Sequence, residues 1–118
     1  MIDWKSFAFG DEYQTLMLKS VELLDRKKSD KLLMDARQGS VIKAEDQIWT
    51  EEVFVERAHS SGLRYLAMVQ PKSVVANSSL RRTINRLGAL PYQYVEFSEW
   101  KEAVQWLNNS MTQENKII

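Results

Sequence analysis

At 118 residues, with 44% apolar and 27% charged side chains, the chain has the size and make-up of one ordinary globular domain, which excludes disorder. Sixteen basic side chains balance sixteen acidic ones, so no overall field draws the molecule to nucleic acid or an anionic membrane. With no cysteine, disulfides, thiolate metal sites and cysteine nucleophiles are excluded, which suits a reducing cytoplasm.

The opening MIDWKSFAFGDEY lacks a basic stretch followed by an apolar one and does not read as a signal peptide. No run of about 18 apolar residues exists to span a bilayer. Trp4, Phe7 and Phe9 lack helical spacing and read as a short strand. Gly10-Asp11 opens a helix whose Tyr13, Leu16, Met17, Val21 and Leu24 make one apolar stripe. The cluster DRKKSD ends it, with cations where the helix dipole favours them. KLLMDA is a short apolar run, as suits a strand covered on both faces.

After the loop RQGSVIK, residues 44–61 read as a second long helix, with Glu45 and Asp46 in its first turn and Gly62 as its stop. Ile48, Val55 and Ala58 gather on one face of it, and Trp49 and Val53 fall on roughly the opposite side. LRYLAMV is the next strand, ended by Pro71. KSVVANS reads as a loop, with Ser78 or Ser79 capping a third helix that carries Leu80, Thr83, Ile84 and Leu87 inward and stops at Gly88. YQYVEF reads as an alternating, half-buried strand. Ser98 is the expected cap of a last helix with Trp100, Ala103, Val104 and Leu107 on one face. Strand and helix thus alternate four times. The pattern predicts an α/β fold, one domain over 1–110 with a small, mainly parallel or mixed four-stranded sheet flanked by about four helices, and a frayed polar tail over 111–118.

The order and spacing of GDEY, KLLMDAR, EDQIW, RAHSSGLRYLAMV and EFSEWKEAVQWL, over about residues 4–108, resemble the SpoIIAA-like family, the STAS/SEC14-type domains related to anti-sigma factor antagonists. The resemblance implies a small mixed sheet flanked by helices. Family members carry a hairpin before the segment matching DWKSF, so the sheet is expected to lack its first strand here and to leave an edge for another chain or a dimer mate. It also implies that Asp35 matches the aspartate ending the central strand. The family's phosphoserine turn then falls at KAED, residues 43–46, which has no hydroxyl; Ser40 lies nearby in the loop. Glu45 and Asp46 place fixed negative charge there, either as ordinary helix-start acids or in imitation of a phosphate.

The remaining candidates divide between site and scaffold. Asp35, Arg37, Gln70 and Lys72 lie at strand ends, where open α/β sheets bind ligands, and the Asp35–Arg37 pair either braces its loop or faces a ligand. His59 is the single histidine, fits a helix C-terminus, and has no second His or Cys for a usual zinc site. Glu52 and Glu56 align as a solvated face or, less naturally, a hard-cation site, and Arg81, Arg82 and Arg86 as a solvated face or a grip on phosphate. Trp49 and Val53, turned away from their helix's inward face, await cover by a neighbouring loop, a dimer mate or other partner, or a ligand. No serine has an evident base partner, and no glycine motif cradles a phosphate. These residues predict no catalytic set, metal or cofactor. The reading is a noncatalytic cytoplasmic regulatory or protein-interaction module of STAS type without the phosphoserine switch, with a SEC14-like binder of a small apolar or lipid-like ligand as the alternative. The contact residues to test are Trp49, Val53, Asp35, Arg37, Glu45 and Asp46.

Overall fold

Three five-residue strands lie side by side in parallel: β2 (Lys31–Asp35), β3 (Tyr65–Val69) and β4 (Gln93–Phe97). The structure is a computed structural model in which residues 2–3 and 10–110 are described, with side chains from residue 12 onward. A two-residue β1 (Ile2–Asp3) pairs in parallel with Met34 and Asp35 of β2. The strand expected around Trp4 to Phe9, and the expected tail at 111–118, lie outside the described residues. Four helices complete the order: α1 (Gly10–Lys27), α2 (the unbroken stretches Ala44–Trp49, Thr50–Phe54 and Val55–Ser60), α3 (Val74–Leu87) and α4 (Trp100–Asn108).

The strands follow one another in space as in sequence, in the order β1-β2-β3-β4. Successive crossovers of one hand that step in one direction must leave their helices on one face of the sheet. The cores show this. Leu32, Met34, Leu66 and Met68 point to a core built with Tyr13, Leu16 and Met17 of α1, Phe54 and Ala58 of α2 and Leu80 of α3. The opposite face, Leu33, Tyr65, Ala67 and Val69, packs on Ala103 and Leu107 of α4. Cover on both sides explains why every residue of β2 and β3 is buried and why β3 and the centre of β2 are apolar. At the other end of the order, β4 is an edge strand and only half-buried.

Two expectations need correction. Helix α3 starts at Val74, several residues before the expected Ser78 or Ser79, because Ser73 is the cap: its hydroxyl accepts the Ala76 N–H at 3.2 Å. Ser79 is instead fully buried inside the helix, accepting the Ile42 N–H at 2.9 Å and donating to the Ala76 carbonyl at 2.7 Å. Replacing Ser73 by Ala is expected to cost about 1 kcal/mol, measurable as a lower urea midpoint at unchanged slope. Likewise α4 begins at Trp100 with Glu99, not Ser98, at its N-cap and no side-chain cap bond.

The larger correction is in α2. Its middle, Thr50–Phe54, is a π-helical turn closed by i→i+5 bonds. Asp46, Thr50, Phe54 and Ala58 are all buried, a stripe at steps of four residues. In an unbroken α-helix each step of four overshoots a turn by about 40°, so such a stripe would wind off the core. The wide π turn absorbs the overshoot. Ile48, expected inward, is therefore 40% exposed, and Trp49, expected outward, packs half-buried on the core.

Candidate functional site

The six expected contact residues fall in two places. Asp35 ends β2 with 6% of its surface exposed, and Arg37 folds back on it two residues later. The Arg37 backbone N–H donates to Asp35 Oδ1 at 3.1 Å, its Nε donates to the same oxygen at 2.9 Å, and its Nη2 donates to Oδ2 at 2.6 Å. This forked clamp braces the loop that leaves the strand. The next loop is stitched to it: the Lys72 N–H donates to the Arg37 carbonyl at 3.1 Å, and the Ala36 N–H to that of Val69 at 2.9 Å.

Asp46, Trp49 and Val53 belong to the seam between α1 and α2. Asp46 is 2% exposed and its Oδ1 accepts from Gln14 Nε2 at 3.0 Å. Glu45, one residue and about 100° earlier, is exposed. The two acids therefore present no shared charged surface, as an imitation of phosphate would need. Thr50 Oγ1 spends its proton on the Asp46 carbonyl at 2.7 Å, so the 2.8 Å contact with Tyr13 Oη has the phenol donating. Trp49 stands edge-on to Tyr13, with centroids 6.2 Å apart at 77°. Intramolecular cover is what the tryptophan receives. Val53 is half-buried on the wall of an open surface groove with Val21, Glu52, Glu56 and Arg57.

Between the sheet and α1–α3 is a cavity of about 30 Å³, lined by Met17, Met34, Phe54, Met68 and the hydroxyl-bearing Tyr13 and Thr83 among others. That volume holds a water or two, whereas pockets for drug-sized ligands run to ~300–1,000 Å³. Burial in this region pushes the phenol pKa values of Tyr13, Tyr92 and Tyr94 well above the ordinary range. For Tyr94 the Arg81 charge opposes that rise.

A polar knot not foreseen from sequence lies at the C-terminal end of β4. Glu96, its side chain 12% exposed, receives Tyr94 Oη at 2.6 Å and Gln70 Nε2 at 3.0 Å, and pairs with Arg81 of α3. Its partners stand 2, 26 and 15 residues away in sequence, and only Tyr94, on the same strand face, left a local signal. The expected arginine cluster is thereby dispersed: Arg81 goes to Glu96, and Arg86 reaches Glu51 at 3.5 Å. His59 is exposed in the last turn of α2. Among the described residues no group of three or more His, Asp or Glu side chains is placed to hold a metal ion, and no helix is long and apolar enough to cross a membrane.

The exposed large apolar side chains have a pattern of their own. Of the five among the described residues, Ile48 lies on α2, and the other four share the end of the sheet where the strands finish: Val41 in the loop after β2, Val74 and Val75 in the first turn of α3, and Trp100 at the start of α4. No family model, curated protein or solved structure matches this chain, so a functional reading rests on its own residues.

Proposed function

We propose that the chain is a noncatalytic cytoplasmic regulatory module of STAS type that binds a protein partner through the rim at the C-terminal ends of its strands. One observation carries this reading: Val74 and Val75 are 81% and 61% exposed, and Val41 and Trp100 accompany them at that rim. Contiguous exposed apolar surface marks interaction sites, and Val74 and Val75 are adjacent in it. The carboxylates nearby are tied to the scaffold, Asp35 by Arg37 and Glu96 by Arg81, which favours contact over proton-transfer chemistry. The turn at residues 43–46 has no hydroxyl, so control would come from occupancy of the rim rather than from phosphorylation of that turn. A SEC14-like reading has a cavity of only about 30 Å³ between sheet and helices to work with, and the interaction reading is preferred to it.

The test is affinity capture from extracts of the source cells with native protein and a Val74→Asp/Val75→Asp variant. Both sites are solvent-exposed, so the variant should keep its stability within about 0.5 kcal/mol. A partner held by the native chain and lost by the variant is the expected result. A partner held equally by both would overturn the assignment to this rim.

A further inference from the structure

The outer edge of β4 has no neighbouring strand among the described residues. Gln93 donates its N–H to the Arg64 carbonyl, and the Phe97 carbonyl accepts from Gln70, both at 2.9 Å, so residues 93 and 97 direct their main-chain groups inward to β3. Main-chain direction alternates along a strand, which sends Val95 inward as well. Tyr94 and Glu96 are left with their N–H and C=O groups pointing outward, and β4 is the last strand in the sheet. The strand has neither proline nor lysine to blunt that edge. Its one protective device is the inward-pointing charge of Glu96, and Arg81 neutralises it.

We propose that two copies of this chain associate by antiparallel pairing of β4 with β4 about a two-fold axis at Val95, joining their sheets into one. Val95 is the midpoint of the five-residue strand, so this register alone uses its whole length. It places Tyr94 opposite Glu96 of the partner copy, and Glu96 opposite the partner's Tyr94, in the closely bonded positions of an antiparallel ladder. Four main-chain hydrogen bonds result, from the four outward groups of each copy. Tyr94 then stands opposite the Glu96 of the other copy, so no like charges are directly opposed, and each Glu96 keeps its own Tyr94 and Arg81 partners. The neighbouring registers are poorer. Centring on Glu96 sets like charges directly opposite, and centring on Tyr94 leaves Glu96 and Phe97 beyond the end of the partner's strand, which begins at Gln93.

The absence of cysteine from the chain makes the test clean. In this register the two Val95 residues form a non-hydrogen-bonded pair with Cα atoms ~4.5 Å apart, within disulfide range. Under mild oxidation Val95→Cys should form a covalent dimer about tenfold or more faster than Gln105→Cys, which places its thiol on an exposed position of α4. Light scattering on native protein should approach twice the monomer mass as concentration rises, and Val95→Lys, with two ammonium groups at the axis, should stay monomeric. Should the lysine variant prove unfolded by circular dichroism, the cysteine pair still decides. A native chain that stays monomeric throughout overturns the proposal, and so does a native dimer that Val95→Cys locks no faster than Gln105→Cys.

Discussion

Truncating Phe54 to alanine is expected to cost the fold about 3–5 kcal/mol, at the upper part of that range. The ring is 1% exposed and sits in the π turn of α2, where it reaches under the helix onto the sheet. It also lines the cavity of about 30 Å³, so the space it vacates joins a void already present. The surrounding side chains would have to collapse across both, and cost rises with the volume they fail to fill. Urea unfolding reads this as a lower midpoint at unchanged slope. A second readout separates a cavity from general damage: the enlarged, mostly apolar space should take up benzene and regain part of the lost stability. A loss below about 2 kcal/mol would mean that the core closes over the site, contrary to this account.

The second large effect is alkaline unfolding. Burial raises the phenol pKa values of Tyr13, Tyr92 and Tyr94 in the folded chain above the ordinary value near 10. The folded state therefore keeps protons that the unfolded state releases. That contribution to stability is fully present below about pH 10 and is lost as pH rises from there toward the folded-state values. Each phenol removes up to about 1.4 kcal/mol per pH unit, so the three together approach ~4 kcal/mol per unit. Against a typical stability of ~5–15 kcal/mol, a loss of that size per pH unit is expected to unfold the domain at a pH above 10. Absorbance at 295 nm should show tyrosinate appearing in step with loss of far-ultraviolet circular dichroism. Replacing Tyr92 by Phe should flatten the pH dependence by about a third, since one of three such groups is gone. Phenols that ionise near pH 10 while the circular dichroism persists would contradict the burial argument.

The parts of the fold legible from sequence are those where local pattern and tertiary environment agree. The α1 stripe from Tyr13 to Leu24 is buried as its spacing predicts, and KLLMD and YLAMV are strands covered on both faces. The phase of α2 was not legible, because a π turn leaves no periodic signature of its own and shifts every residue on one side of it relative to the other. A period of 3.6 therefore assigns Ile48 and Trp49 to the wrong sides. The start of α3 was obscured by Val74 and Val75, whose β-branching argues against helix, although the cap at Ser73 outweighs it. The polar contacts were the least legible. Asp46 meets Gln14 across 32 residues and Glu96 meets Gln70 across 26, and nothing local distinguishes such acids from ones that face solvent.

The identity of spatial and sequential strand order bears on how the chain is made. A ribosome delivers the strands from one edge of the sheet toward the other, and each can dock on the one just finished. The apolar face of Leu33, Tyr65, Ala67 and Val69 is complete once β3 emerges, yet α4, the helix that shelters it among the described residues, is encoded some thirty residues later. For that interval the nascent domain carries a bare sheet face, the kind of surface on which chains misassociate or chaperones bind. Stalling or truncation just before Trp100 should therefore yield a sticky intermediate rather than a smaller stable domain, and the nine residues of α4 act as the final lid of synthesis.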